Sequence, residues 1–147
     1  MALFYSFRVS ILLLLATTAF TAQGQTVLRK WKQVDDLSGQ ARSIIELYQK
    51  DGKVAGRILQ IMLLPGEDPN PVCEACDPDD KRYKKPVIGM EILSGLEKEG
   101  AAYVNGNILD PENGRIYRCK VWLEGNKLKL RGYWGLFYRT QTWLPAE

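Results

Sequence analysis

From Ile116 to Leu123 apolar and polar side chains alternate, with Tyr117, Cys119, Val121 and Leu123 on one side and Arg118 and Lys120 on the other. Lys127 to Tyr133 repeats the pattern, setting Leu128, Leu130 and Gly132 against Lys127, Lys129 and Arg131. Period two with one polar face is expected of antiparallel strands that have one side in water. The same reading, with weaker alternation, predicts strands over Arg29–Val34, Ala41–Lys50, Val54–Leu64, Val87–Leu93, Ala102–Leu109 and Tyr138–Leu144. Ser94–Gly100, SGLEKEG, fits either a turn of helix or a charged loop.

The connections carry their own chemistry. Asp51-Gly52 between Lys50 and Lys53 predicts a two-residue type I′ hairpin, because both central residues must take positive φ. Asp110-Pro111-Glu112-Asn113-Gly114 predicts a structural turn: Asp110 bonds the backbone ahead, Pro111 presets φ, and Asn113 or Gly114 takes the left-handed position. Gly56, inside a strand, predicts a bulge or the close approach of another backbone. Pro65–Pro86 holds five of the seven prolines and almost no apolar side chain, so it is no central strand. At about twenty residues it exceeds an ordinary connection, and such loops are usually functional or disordered.

Eight sequential strands with tight turns and no convincing helix point to an all-β fold, a single antiparallel up-and-down barrel, which removes exposed edges by closure. A sandwich competes, but sandwiches usually need Greek-key crossings, and the short connections favour the barrel. An eight-stranded barrel is just wide enough to be filled by side chains or to hold one small ligand.

The first residues stand apart. Arg8 precedes the apolar run Val9–Ala16, and Ala22 and Gly24 occupy the −3 and −1 positions of a cleavage site. The run falls short of the about 20 residues that span a bilayer, which leaves an uncleaved anchor the weaker alternative. Residues 1–24 are therefore expected to be a signal peptide and 25–147 a single exported barrel domain, periplasmic or extracellular. Without Arg8, nineteen basic residues face seventeen acidic ones, a net charge of +2. The one basic cluster, Lys81, Arg82, Lys84 and Lys85, sits beside Asp77, Asp79 and Asp80, which argues for a solvated loop and against nucleic acid.

The chain has no His, which removes Ser-His and Cys-His nucleophilic pairs and every His-containing metal site. Three Cys permit three pairings. A bridge from Cys73 or Cys76 to Cys119 would contribute about 4 kcal/mol in the chain-entropy account, against about 2 kcal/mol for Cys73 to Cys76. Cys73–Cys76 is nevertheless the favoured disulfide, since proximity is guaranteed and Cys119 faces the core. A catalytic CxxC needs a lowered thiolate pKa, whereas this one lies among prolines and aspartates. Zinc would need Cys119 and a fourth ligand such as Asp77, so no metal and no cofactor is expected. Asp110 and Glu112 would make a catalytic carboxylate pair only by facing one pocket, and the turn explains them better.

Trp31, Ile45–Gly56, the Cys73-Glu-Ala-Cys76 loop, Pro86–Leu96, Asn107–Lys120, Leu128–Tyr133 and Arg139–Trp143 together resemble the domain of unknown function 2147 family of exported bacterial proteins. Leu28-Arg29-Lys30 departs from the glycine usual before that family's first Trp. The resemblance implies a small lipocalin-like (calycin) barrel in the cell envelope; it implies no activity, and no catalytic residue is carried over.

Strand aromatics are core and rim by default. A sharper expectation is a barrel mouth where Trp31, Trp134, Phe137, Tyr138 and Arg139 contact an amphipathic ligand, with Gly135-Leu136-Phe137 as an exposed contact site. Arg139 is also expected to stack across Trp31 and close the barrel by a cation–π contact. The function expected is non-enzymatic binding of a small apolar or amphipathic molecule, or of an envelope component. The alternatives are an interaction module that docks a partner through residues 65–86 over a filled barrel and, more distantly, a CxxC thiol-disulfide protein.

Overall fold

The computed structural model describes residues 24–146; the expected signal peptide, residues 1–24, lies outside them except for Gly24. Eight strands follow one another: β1 Lys30–Val34, β2 Ala41–Lys50, β3 Lys53–Ile61, β4 Glu91–Glu99, β5 Ala102–Leu109, β6 Ile116–Glu124, β7 Lys127–Trp134 and β8 Phe137–Pro145. Each pairs antiparallel with the next, and β1 pairs with β8 through Trp31 opposite Pro145 and Gln33 opposite Trp143, so the sheet closes into a barrel in sequence order. The β2–β3 hairpin turns as expected, with φ of 51° at Asp51 and 75° at Gly52.

The barrel has two unlike ends. At one, the short β2–β3, β4–β5 and β6–β7 turns enclose a packed plug of Trp31, Leu47, Leu96, Val121, Leu128 and Trp143, all fully buried. Burying a side chain of this size contributes about 1.5–3 kcal/mol, so this end anchors the fold. The chain ahead of β1 crosses it, and the Trp31 indole Nε1 donates to the Val27 carbonyl at 2.9 Å. Two glycines permit the plug. A Cβ on Gly56 would sit 2.7 Å from Leu47 Cδ2, and one on Gly106 would sit 2.5 Å from Leu96 Cδ2. What approaches Gly56 is therefore a pair of leucine side chains, not another backbone. The register also shifts around Gly56, as a bulge requires.

Three sequence expectations are corrected. The expected strand Val87–Leu93 begins only at Glu91, because Gly89 turns the chain at φ +88° and Met90 N bonds back to the Val87 carbonyl at 3.1 Å. Ser94–Glu99 is neither helix nor loop but the body of β4, and Gly100 begins the turn to β5. The strand's alternation is hidden by a paired irregularity, with Gly95 at φ +73° and Asn105, on the facing strand, at +58°. The return strand expected to reach Leu64 ends at Ile61, where the chain leaves for the long loop.

That loop is folded. Cys73 and Cys76 are disulfide-bonded and both are buried. Val72 and Pro86 form a bridge, and Cys73 and Lys85 join backbones at 2.9 Å. Asp80 and Arg82 pair at 2.7 Å, while Arg82 Nη1 donates to the Glu91 carbonyl at 3.2 Å and ties the loop to β4. Across the mouth the loop seats on the β5–β6 turn. Cys73 Sγ lies 3.6 Å from the Pro111 carbonyl oxygen, and a Cβ on Gly114 would fall on the Ala75 carbonyl. Only glycine fits there, at φ +70°.

Candidate functional site: the open end of the barrel

The β1–β2, β3–β4, β5–β6 and β7–β8 connections all lie at the end opposite the plug. Between them a cavity of about 1250 Å³ runs from the middle of the barrel to solvent. Its floor is Trp143, Leu130 and Ile58, its walls include Ile61, Ile92, Ile108 and Tyr117, and the Cys73–Cys76 loop supplies Val72, Glu74, Ala75 and Val87 to its rim. The strands supply apolar walls because period two sends every second side chain inward.

Three inward positions near the floor are polar. Ser43 Oγ donates to Gln33 Oε1 at 2.7 Å. Trp143 Nε1 donates to Gln141 Oε1 at 3.2 Å, and since an indole only donates, it fixes that amide with its nitrogen free. Neither amide nitrogen donates to a described residue, and no buried side-chain nitrogen or oxygen among the described residues lacks a partner. Both Nε2 atoms therefore reach open space, and both residues line the cavity. Two N–H donors thus stand beside the apolar floor of the chamber.

Two basic side chains at the mouth are paired, while Asp68, Glu74 and Glu112 line it at exposed positions without an ion pair among the described residues. Arg139 meets Asp36 at 2.8 Å, and Arg42 meets Glu67 at 2.8 Å. The Ser38 backbone and hydroxyl hold the Asp35 carboxyl below its ordinary value, and the Arg42 guanidinium does the same for Glu67. Asp110 is occupied in its turn: it accepts from the Glu112 backbone N–H and from Asn113 Nδ2, each at 2.9 Å. Gly114 takes the left-handed position. Among the described residues no group of three or more His, Cys, Asp or Glu could hold a metal ion. Burial pushes the Cys119 thiol up to about 12, which keeps it protonated and without nucleophilic character.

The model of a family described as an uncharacterized protein conserved in bacteria, DUF2147, matches residues 30–144. The chain belongs to the DUF2147 family. The match runs from the first residue of β1 to the penultimate residue of β8, so it is coextensive with the barrel. A solved structure of a protein from the human pathogen Helicobacter pylori, described as belonging to the lipocalin family, is similar to this DUF2147 chain. The TM-score is 0.69 at 20% identity, over 83% of this chain and 84% of that one. At that identity the likeness shows a lipocalin-like fold. No match is found among curated proteins.

Of the residues expected at the mouth of this DUF2147 barrel, Trp134, Phe137, Tyr138 and Arg139 border the cavity. Trp31 does not: it is buried in the plug at the opposite end. The expected stacking of Arg139 on Trp31 is likewise corrected. Arg139 faces the open end and bonds Asp36, while the cation over Trp31 is Arg29, 5.2 Å from the ring centroid. The register explains this, since Arg139 lies opposite Gly132, four residues short of the Trp143 that pairs with β1. Gln33, Ser43 and Gln141 were not singled out by composition or motif. Their signal is positional: each lies two residues from a core side chain, Trp31, Ile45 or Trp143, and so shares its inward face.

Proposed function

We propose that this protein is an exported, non-enzymatic carrier that takes one small apolar or amphipathic molecule into the open half of its barrel. The cavity of about 1250 Å³ carries the proposal. Ligand sites are typically about 300–1,000 Å³ and mostly apolar, with a few placed polar groups; this chamber is somewhat larger, with an apolar floor and a polar rim. Because the unpaired charges that line the chamber, Asp68, Glu74 and Glu112, are exposed carboxylates, and the side chains at its floor are neutral, the enclosed part of the ligand is uncharged. Gln33 and Gln141 offer N–H groups to an acceptor oxygen on it, so an apolar body bearing a carbonyl or ester suits the chamber best. A disulfide in a bacterial chain supports an oxidising compartment. The alternative of a partner docked on residues 65–86 presupposes a filled barrel, and the open chamber weighs against it.

The test is titration with N-phenyl-1-naphthylamine, a neutral apolar fluorophore, of the wild type and of Leu130→Trp, which fills the floor. Saturable binding in the wild type, weakened at least tenfold in a Leu130→Trp protein of native melting temperature, is expected. No saturable binding, or binding indifferent to the filled floor, would refute the proposal. Native mass spectrometry of protein purified from its own envelope should then reveal the co-purifying mass.

A further inference from the structure

The outer face of β6, β7 and β8 is charged differently from the rest of the molecule. Between Arg115 and Pro145 the sequence has one acid, Glu124, at the plug end, and seven basic residues, six of them besides Arg139, which faces the chamber mouth. Register places Arg118 beside Tyr133 and Lys120 beside Arg131 on this face. The β7–β8 hairpin then projects beyond the barrel with Trp134 65%, Leu136 99%, Phe137 72% and Tyr138 61% exposed. Beside it, Leu37 on the β1–β2 loop is 95% exposed, and that loop is tied to β8 by the Asp36–Arg139 pair. Where the hairpin meets β6, Arg115, Arg118, Tyr133 and Trp134 border a shallow cleft of about 540 Å³. Neither guanidinium there bonds a described residue through its side chain.

We propose that this face docks on a bilayer containing anionic lipid, with Leu136 and Phe137 entering the acyl region, Trp134 and Tyr138 at the headgroup level, and Arg115 and Arg118 taking phosphates in the cleft. Wholly exposed apolar side chains at a hairpin tip are unfavourable in water and mark a contact site. Trp and Tyr are the residues that favour a membrane interface, and basic residues near an anionic surface each strengthen binding about fivefold. A protein partner fits less well, because a tip of four side chains falls far below the about 20–30 residues a side of a stable interface. Single-stranded nucleic acid also fits less well. Arg131 already occupies one face of the Trp122 and Tyr138 rings, at 5.3 and 4.2 Å, which reduces the surface they offer to stacked bases. The proposal concerns the outer face and stands whether or not the chamber carries a ligand.

The experiment mixes residues 25–147, which hold the whole closed barrel, with phosphatidylglycerol–phosphatidylcholine vesicles and with phosphatidylcholine vesicles alone. Bound protein is measured by flotation. Binding to the anionic vesicles at low salt is expected, at least tenfold stronger than to the neutral ones, together with a blue shift of Trp134 emission and its quenching by brominated acyl chains. Leu136→Asp with Phe137→Ser should weaken binding by roughly tenfold or more, and Arg115→Gln with Arg118→Gln by on the order of 30-fold. All four residues are at the surface, and equal melting temperatures would show the fold intact. The proposal is overturned by absence of binding to anionic vesicles, by binding that neither double variant weakens, or by a tip that mediates only self-association in sedimentation equilibrium.

Discussion

Trp31 is held on several sides: its indole donates to Val27, the Arg29 guanidinium stacks on the ring, and Ile45 and Pro145 lie opposite it on the flanking strands. Trp31→Ala should therefore destabilise the protein by about 3–5 kcal/mol, as large aromatic deletions in cores do. Arg139 is 65% exposed at its side chain, and its ion pair with Asp36 lies in solvent, so Arg139→Ala should cost no more than about 1 kcal/mol. Urea unfolding of the two variants checks the contrast; equal losses would mean that the barrel closure depends on Arg139 after all. Residue identity alone points to the aromatics and leaves out Gln33 and Gln141, because a glutamine is unremarkable until its inward register is known. Alternation in β8 carries that information, since Gln141 shares a face with Trp143.

At the scale of elements, β6 and β7 are legible in full, because both strands have one face in water and no irregularity interrupts them. β4 is not, since Gly95 and Asn105 break the period on both partners at once, and no local rule distinguishes such a strand from a loop. The Pro65–Pro86 loop is legible as non-strand but not as a folded unit. Its order comes from contacts far along the chain, such as Ala75 against Gly114. Within it, the Arg82 guanidinium and backbone N–H hold the Asp80 carboxyl down at about 2, against an ordinary 3.8. A carboxyl whose pKa is depressed on folding stabilises the folded form above its unfolded value and ceases to do so as protons bind the native state. This contribution is thus complete above about pH 4 and disappears as pH falls from about 4 through about 2. Amide protection factors for Asp80–Lys85 should drop over that window in the wild type. In Asp80→Asn they should be low already at pH 5 and change little on acidification. A loop equally protected at pH 5 and pH 2 would show that the Asp80–Arg82 pair does not hold it.

The whole molecule is polarised along the barrel axis: a dry plug at one end, a chamber at the other, and two amide nitrogens near the boundary between them. That arrangement makes ligand chemistry separable from ligand size. Replacing both glutamines by leucine, of similar volume, removes the donors and leaves the chamber's shape. A buried donor left without an acceptor costs about 1–3 kcal/mol, and an acceptor on the ligand incurs a like loss when its donor is removed. In Gln33→Leu with Gln141→Leu, a pure hydrocarbon such as hexadecane should therefore bind more tightly than in the wild type. A methyl ester of equal chain length should bind more weakly, and the ratio of the two affinities should move by roughly tenfold or more. Competition against N-phenyl-1-naphthylamine reads both values in one assay. The indole of Trp143 loses its acceptor in Gln141→Leu, so stability will fall somewhat; Gln33→Leu alone, which leaves that bond intact and removes one donor, is the companion variant. If both variants scale the hydrocarbon and the ester alike, the amides belong to the barrel's hydrogen bonding alone and select nothing.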